Sequence, residues 1–331
     1  MKYTSRFLIT FLATIILACS QSPQENNRGE DEAYQEATAL PSWYNPSAMD
    51  TLSVVTWNIE HFVDQHDNPY IQNERENKPP QDMEQRRELL AKAIKNLDAD
   101  IVVFQEIESD SYLRTFAEEY FPDMGYEVFA SLESADWYMN VVMMSRVPLG
   151  LFHSYANINT PISGQTDEEG NPASQTFTNN RMWTADILVK PDYSFTLTGL
   201  HLKAGGGKRN QAWRLGQIRL LRKHFKMLTN QDPDQNMLVM GDLNTTPDSK
   251  EFNTLLGDQA PKFVDPLEGT NTFSHASDSL FCRIDHILPN QHMNRELVPN
   301  SVDVVEPLER SKMITISDHM PLQARFTTNE K

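Results

Sequence analysis

Met237-Leu238-Val239-Met240-Gly241-Asp242-Leu243-Asn244-Thr245-Thr246-Pro247 is the stretch from which the rest of the chain can be interpreted, because it changes from apolar to polar within three residues. Four consecutive large apolar residues predict a strand that is buried on both faces, and Gly241 then allows a sharp turn. If the strand geometry continues, Asp242 and Asn244 point to the same side of the chain. A carboxylate can orient water and an amide can hold an oxyanion, so this pair suits phosphate chemistry.

The same pattern, a polar residue in or at the end of an apolar run, recurs along the chain. Its nine members are Asn58, Glu60, Glu106, His201, Asp242, Asn244, Asp285, Asp318 and His319. Any one of them has a structural explanation, since a histidine after a strand is more often a satisfied structural group than a catalyst. Nine polar groups at such positions would each cost desolvation energy unless they pair with one another or bind a cation. The pattern therefore predicts one shared site.

Predicted strands and helices are mixed throughout the chain, which favours the α/β class. Strands are predicted at 51–58, 101–104, 141–144, 151–159, 182–189, 193–202, 302–305 and 322–326, and helices at 83–97, 112–120 and 211–228. Asp82 and Gln85 resemble a capping box at the start of the first helix. The segment 164–180 is polar and predicts a surface loop.

The N-terminal residues have the pattern of an export signal. Lys2 and Arg6 precede an apolar run that is too short to span a bilayer. Ile16-Leu17-Ala18-Cys19 resembles the lipobox of bacterial lipoproteins, in which Cys19 would become the lipidated N-terminus; an ordinary secretory signal is the alternative. We therefore expect a signal peptide at 1–19, a flexible tether at 20–49, one catalytic domain at 50–328, and a membrane-anchored lipoprotein of the bacterial cell envelope.

Charge is distributed unevenly along the chain. The net charge of −17 argues against binding of nucleic acid by bulk electrostatics. Between Tyr193 and Gln231, however, there is no acidic residue. Lys203, Lys208 and Arg209 lie in or beside a Gly-rich loop there and predict a local anion-binding patch, whereas the basic residues from Arg214 onward are interpreted as the polar face of a helix.

These motifs, taken in order, resemble the endonuclease/exonuclease/phosphatase superfamily, the metal-dependent phosphoesterases related to deoxyribonuclease. The likeness comprises Thr56-Trp57-Asn58-Ile59-Glu60, Gln105-Glu106, Ser145-Arg146-Val147-Pro148, Gly199-Leu200-His201-Leu202-Lys203, Gly241-Asp242-Leu243-Asn244, Arg283-Ile284-Asp285 and Ser317-Asp318-His319. Each motif alone is weak, whereas the ordered set is specific. The resemblance implies a four-layer α/β/β/α sandwich of two mostly antiparallel mixed sheets, with the site at one end.

The resemblance also implies a metal site. Glu106 would be the main ligand of a hard divalent cation, with Asn58, Glu60 and Asp318 nearby. Oxygen ligands of this kind suit Mg²⁺, with Mn²⁺ as a possible substitute.

Catalytic roles are implied in the same way. Asp242 would orient the attacking water and Asn244 a non-bridging oxygen, while His319, polarised by Asp285, would contact the phosphoryl group. His201 would lie opposite His319. Arg181 and Lys203 would bind substrate phosphate. In the region 137–140, where an acidic partner of His201 is expected, the sequence offers Asn140.

Three functions follow from this reading. The first is a metal-dependent phosphodiesterase, specifically a nuclease, that acts on nucleic acid or another phosphodiester. The second function uses the same metal-dependent hydrolysis on a different substrate, as a phosphomonoesterase or a sphingomyelinase-like phospholipase. The third is a binding lipoprotein without activity. We expect a monomer with no protein partner, in contact with the membrane only through its anchor.

Overall fold

Alternate residues of the first long strand face two different cores. In the computed structural model, which describes residues 40–132, 137–155, 159–175 and 181–328, this strand (β1) runs from Thr51 to Phe62. Leu52 and Val54 belong to one buried cluster and Val55 and Trp57 to another. Because side chains alternate across a strand, β1 must separate two apolar layers.

The other elements follow in chain order. The strands are β2 (Ile101–Ile107), β3 (Val128–Ala130), β4 (Asn140–Ser145), β5 (Leu149–Ser154), β6 (Thr160–Thr166), β7 (Pro172–Gln175), β8 (Met182–Lys190), β9 (Tyr193–His201), β10 (Met237–Asp242), β11 (Asp285–Pro289), β12 (Asp303–Val304) and β13 (Leu322–Thr327). The α-helices are α1 (Glu74–Asn77), α2 (Met83–Leu97), α3 (Asp110–Tyr120), α4 (Gly207–Gln231), α5 (Lys250–Leu256) and α6 (Arg310–Ile316).

The strands form two large sheets and one hairpin. The first sheet has the order β12-β13-β1-β2-β4-β3, and the second has the order β11-β10-β9-β8-β5. Only β1 with β2 and β9 with β10 pair in parallel within these sheets, and the other described pairs are antiparallel. Strands β6 and β7 pair with each other.

Three buried clusters define four layers. One cluster, which contains Val103 of β2 and Leu197 of β9, lies between the two sheets. A second joins the outer face of the first sheet to α2, α3 and α6, and a third joins the second sheet to α4 and α5. This arrangement is an α/β/β/α sandwich, so the fold class that the sequence predicted is confirmed.

Some local predictions were wrong. The segment 164–180 was predicted as a loop, but its described part, 164–175, contributes the end of β6 and all of β7, and residues 176–180 lie outside the described residues. This hairpin packs on α4, where the Gln175 amide donates to the Trp213 carbonyl (2.9 Å). Asp82 is the N-cap of α2 but makes no side-chain capping bond, so the predicted capping box does not form.

The compact unit that contains both sheets begins at Pro41. Residues 41–49, predicted as the end of the tether, therefore belong to this unit. The Tyr44 hydroxyl donates to the Val189 carbonyl of β8 (2.7 Å), and Pro46–Ala48 form a 3-10 helix. Cys19 and the remainder of the predicted signal and tether lie outside the described residues. Within the described ranges, no helix is both long enough and apolar enough to cross a membrane.

Candidate active site

Strand register brings the predicted polar residues to one end of the sandwich. His201 at the end of β9 lies beside Asp242 at the end of the parallel strand β10, and Asp242 pairs with Asp285 at the start of the antiparallel strand β11. In the other sheet, Asn58 of β1 pairs with Gln105, next to Glu106. Each sheet therefore contributes several polar groups to the same end.

Asp242 is buried and held by three N–H donors. Its Oδ1 accepts from the Asn244 backbone (2.7 Å), and its Oδ2 accepts from the side-chain amides of Asn58 (3.1 Å) and Asn244 (3.2 Å). Burial and the neighbouring Asp285 nevertheless raise the pKa of Asp242 to about 7. The chain leaves its strand after Asp242, since Asn244 has a φ of 51°, but the two side chains meet as predicted.

His319 is fixed by a buried carboxylate. Its Nδ1 lies 2.8 Å from Asp285 Oδ2, which also accepts a hydrogen bond from the Ser274 hydroxyl (2.7 Å). Burial opposes protonation of the imidazole, but Asp285, with Asp242 and Asp318, outweighs it and raises the pKa of His319 to about 10. The His319 ring is therefore a cation at neutral pH in this environment, with its Nε2 4.0 Å from Asp242 Oδ2.

His201 lies beside the same carboxylates. Its Nε2 is 3.6 Å from Asp242 Oδ2 and 3.8 Å from Glu106 Oε1. Burial and Arg181 lower the pKa of His201 well below its usual value, so the ring is neutral. Asn140 donates to the Glu108 carbonyl (2.5 Å) and makes no hydrogen bond with His201.

Glu106 has the character of a cation ligand. Its carboxylate accepts hydrogen bonds from the Asn58 amide (3.3 Å) and the His61 backbone (3.1 Å). Burial raises the pKa of Glu106 despite these two donors, so its negative charge is only partly compensated. A divalent cation would supply that compensation, and carboxylate oxygens such as those of Glu106 suit Mg²⁺ or Mn²⁺.

Of the other predicted metal ligands, Asn58 contacts Glu106 (3.3 Å), whereas Glu60 and Asp318 are not grouped with it. Within the described part of the chain, two groups of potential ligands have all their donor atoms within 4.8 Å of one another: Asp242, Asp285 and His319, and His275, Asp318 and His319. Neither group includes Glu106 or Glu60. Glu60 is half-buried, and its backbone carbonyl accepts from Arg86 (2.5 Å).

Two cationic side chains adjoin this cluster. Arg181 is partly buried, and its side chain interacts electrostatically with Glu106 and Asp242. Its backbone carbonyl accepts a hydrogen bond from the backbone N–H of His201 (2.7 Å). Lys203 is also partly buried, and burial and Arg181 lower its pKa. Both residues thus add positive charge beside the cluster, and their contact with substrate phosphate stays a prediction.

The loop that carries Lys203 is fixed by a residue that the sequence analysis placed on a solvated helix face. Arg214 is buried, and its Nη1 donates to the carbonyls of Lys203 (2.9 Å) and Gly205 (2.8 Å). Its Nε and Nη2 donate to Glu251 Oε1 at 3.1 and 2.9 Å. The interpretation of Arg214 was wrong, because a helical period does not show which basic residue meets a buried acid on α5.

Backbone conformation is unusual where the site is built. Four non-glycine residues there have positive φ: Glu60 (45°), His61 (51°), Glu106 (65°) and Asn244 (51°). The β1–β2 pairing also shifts register between Asn58 and Phe62. Irregularities of this kind re-aim side chains and cluster at functional sites.

Sequence reasoning did not identify four residues that build the site: His61, Arg86, Tyr138 and Ser274. The His61 Nε2 lies 3.7 Å from Glu106, and its Nδ1 lies 2.7 Å from the Tyr138 hydroxyl. Arg86 donates to the carbonyls of Ile59 (2.7 Å) and Ile316 (2.9 Å), so it ties the end of β1 to the end of α6. Only His61 had a signal in the sequence, since it directly follows a quoted motif.

The arrangement combines the groups needed for phosphoryl transfer. Asp242 can accept a proton from water, His319 Nε2 can donate one, and nearby cations can contact phosphate oxygens. The Asn244 amide, in contrast, already donates to Asp242 (3.2 Å) and to the Leu202 carbonyl (3.1 Å). A divalent cation held by Glu106 would neutralise charge on those oxygens and stabilise the leaving alkoxide.

Comparison with known proteins is consistent with this geometry. No curated protein matches the chain significantly in sequence. Among solved structures, a D. rerio TDP2 complexed with single-strand DNA product shares 15% identity and a TM-score of 0.56, covering 84% of this chain and 99% of that one. The human nocturnin catalytic domain with bound sulfate shares 17% identity and a TM-score of 0.56, and the match covers 86% of this chain and 96% of that one. A mannosyl-6-phosphatase from Bacteroides thetaiotaomicron shares 17% identity and a TM-score of 0.52, and the match covers 82% of this chain and 98% of that one.

At these identities the structural likeness establishes the fold alone. The family itself is shown by a sequence model, that of the endonuclease/exonuclease/phosphatase family, which matches residues 55–319. The matched region includes every predicted catalytic and metal-binding residue, from Asn58 to His319. This chain therefore belongs to the endonuclease/exonuclease/phosphatase family.

Proposed function

We propose that the protein is a metal-dependent phosphodiesterase that acts as a nuclease, cleaving P–O bonds with activated water. The observation that carries the proposal is the position of the Asp242 carboxylate. It is held by the amides of Asn58 and Asn244 and lies 4.0 Å from the Nε2 of His319. A proton acceptor and a cationic proton donor thus share one buried site.

The two groups have complementary roles. Asp242 accepts the proton of the attacking water as the new O–P bond forms, and its pKa of about 7 is matched to that task. His319 donates its Nε2 proton to the leaving oxygen as the other P–O bond breaks. Asp285 holds the imidazole in the required tautomer and stabilises its positive charge.

The surroundings support a phosphodiester. Arg181 and Lys203 provide local positive charge on an acidic protein, so substrate affinity would depend on a few close contacts. Relatives in fold include a TDP2 bound to a DNA product, which supports nucleic acid as the substrate. Phosphomonoester hydrolysis is the second candidate activity, because the structures similar in fold also include a mannosyl-6-phosphatase.

Substitution of the two central residues tests the proposal. Asp242→Asn and His319→Gln are each expected to lower hydrolysis in the presence of Mg²⁺ by at least about 10³-fold, because each removes a group that acts in the transition state. Circular dichroism establishes that the variants are folded, and His66→Gln, an exposed histidine away from the cluster, is the matched control. Wild-type activity in both variants would refute the mechanism.

A side-by-side substrate series tests the substrate class. Single- and double-stranded DNA, RNA, bis-p-nitrophenyl phosphate, p-nitrophenyl phosphate, inositol phosphates, mannose 6-phosphate and sphingomyelin are compared at one enzyme concentration. The proposal expects the highest kcat/KM on a nucleic acid. A higher value on a phosphomonoester or on sphingomyelin would replace it with the corresponding alternative.

We further propose that the protein is exported and anchored in the bacterial cell envelope through a lipid on Cys19, and that it acts as a monomer. The basis is the lipobox-like Ile16-Leu17-Ala18-Cys19. Labelling of cells with a radioactive or clickable fatty acid should mark the wild-type protein but not Cys19→Ala. Equal labelling of both would exclude this anchor, and size-exclusion chromatography with light scattering tests the monomer.

A further inference from the structure

A second group of metal-ligand side chains adjoins the catalytic cluster. It consists of His275, Asp318 and His319, whose donor atoms all lie within 4.8 Å of one another. The Nε2 of His275 is 3.6 Å from Asp318 Oδ2, and the Nε2 of His319 is 3.8 Å from Asp318 Oδ1. Both distances exceed those of good hydrogen bonds. The three groups therefore face one another without pairing closely.

The spacing suits a tetrahedral cation. Zinc–nitrogen and zinc–oxygen bonds of about 2.1 Å place neighbouring ligand atoms about 3.4 Å apart in a tetrahedron. The two observed separations, each measured to a different oxygen of Asp318, are close to that value. Two imidazoles with one carboxylate form the ligand set of catalytic zinc sites, and they suit zinc better than a hard cation such as Mg²⁺.

The backbone holds this group in a fixed arrangement. His275 and His319 form an antiparallel bridge, and on either side the Met320 N–H donates to Ser274 (2.8 Å) and the Ser277 N–H to Asp318 (2.7 Å). The segment 274–277 is thus tied to 317–320 along its length. The ligands need little rearrangement to bind an ion, which lowers the entropic cost of binding.

The neighbours of the group also suit a metal site. Asp285 accepts the Nδ1 proton of His319 (2.8 Å), which directs Nε2 toward the ligand position, as carboxylates do for zinc-bound histidines. The side chains of His275 and Asp318 are 25% and 46% exposed, so an ion has access from solvent and can keep a water. The proton on His319 Nε2 must leave when the ion binds, so protons compete with the ion for this ligand.

We propose that His275, Asp318 and His319 form a Zn²⁺ site beside the hard-cation site at Glu106, with Asp318 as a predicted ligand of both. Zinc in this site would occupy the Nε2 of His319, the atom that the proposed function assigns to proton donation. Zinc would therefore inhibit hydrolysis. This inhibitory consequence rests on the proposed function, whereas the site itself does not.

Zinc titration of the purified, metal-free protein tests the site. Competition with a chromophoric chelator, in millimolar Mg²⁺, should show one bound Zn²⁺ per chain. Removal of a ligand in His275→Gln should weaken zinc binding at least about tenfold, and Asp318→Asn should do the same. The matched control His66→Gln should bind zinc as the wild type does, because His66 lies outside the group.

Cobalt provides a spectroscopic check that does not depend on activity. Co²⁺ bound in a tetrahedral site gives visible absorption bands, which should be displaced by one equivalent of Zn²⁺ and lost in His275→Gln. Wild-type zinc affinity in both ligand variants, or the absence of stoichiometric binding to the wild type, would overturn the site. Zinc binding without any phosphoesterase activity would instead reject the proposed function and leave the site in place.

Discussion

The ion pair between Arg214 and Glu251 offers a sharp test of how the site is supported. The two side chains are only 7% and 2% exposed. Glu251 accepts two hydrogen bonds from Arg214 and one from Gln211 (3.0 Å). Arg214 in turn holds the carbonyls of Lys203 and Gly205. Replacement of Glu251 by Gln keeps the volume but leaves a buried guanidinium without its counter-charge.

The expected loss of stability is large. Removal of one partner from a buried ion pair costs about 3–5 kcal/mol, because the other charge stays desolvated. An ordinary domain is stable by about 5–15 kcal/mol, so Glu251→Gln should lose a large share of that margin. The matched control is Glu306→Gln, which removes the partner of Arg310 in an exposed pair four residues apart. That change should cost less than about 1 kcal/mol.

Urea denaturation followed by circular dichroism gives the free energies of unfolding. A loss below about 1 kcal/mol in Glu251→Gln, no larger than in the control, would refute the argument from burial. The double variant Arg214→Met with Glu251→Leu should regain most of the stability, since apolar residues can replace a buried pair. It should still raise KM, because Lys203 and Gly205 lose their donors.

Three further changes follow from the same structure. Gly241→Ala should destabilise the fold by about 3 kcal/mol or more and abolish activity, because a Cβ there would lie 1.9 Å from the Leu200 carbonyl oxygen at a φ of 142°; Gly206→Ala, with open space and an ordinary φ, is the control in the same denaturation assay. Ser274→Ala should cost about 2 kcal/mol by removing a hydrogen bond to buried Asp285, and a loss equal to that of exposed Ser279→Ala would contradict this. His286 is buried beside Arg283, and burial and that neighbour lower its pKa to about 4, so its neutral form is the one that folding favours. Its contribution to stability is present above a pH of about 6.5 and is lost as the pH falls, by about 2 kcal/mol between pH 7 and pH 5. His286→Gln should reduce that pH dependence, and an unchanged slope of unfolding free energy against pH would exclude the assignment.

The strands were largely predictable because each buried strand appears in the sequence as a run of apolar residues. Residues 237–240 are buried as the sequence predicted, and Asp242 follows them directly into the site. In contrast, the hairpin of β6 and β7 has few apolar residues, and its position depends on contacts with α4 that no local pattern encodes. The fold was therefore predictable where burial is periodic, and not where polar contacts position a segment.

The site was predictable in its members but not in its pairing. The position of each polar residue in or at the end of an apolar run could be read from the sequence, whereas Ser274 lies in a loop without any such signal. Its role depends on Asp285, eleven positions away, and on the buried geometry that places both beside His319. Arg214 shows the same limit, because its partner belongs to another helix.

The cluster at one end of the sandwich contains more acidic than cationic groups. Glu106, Asp242 and Asp285 bring three acidic groups into a largely buried region, and burial raises the pKa of the first two. His201 stays neutral, so among the described histidines of the cluster only His319 offsets this charge strongly. Arg181 adds a second positive charge at the edge. Without a cation such a cluster favours the protonated forms of its acids, and with a cation it favours their ionised forms, which is consistent with the proposed dependence on a divalent cation.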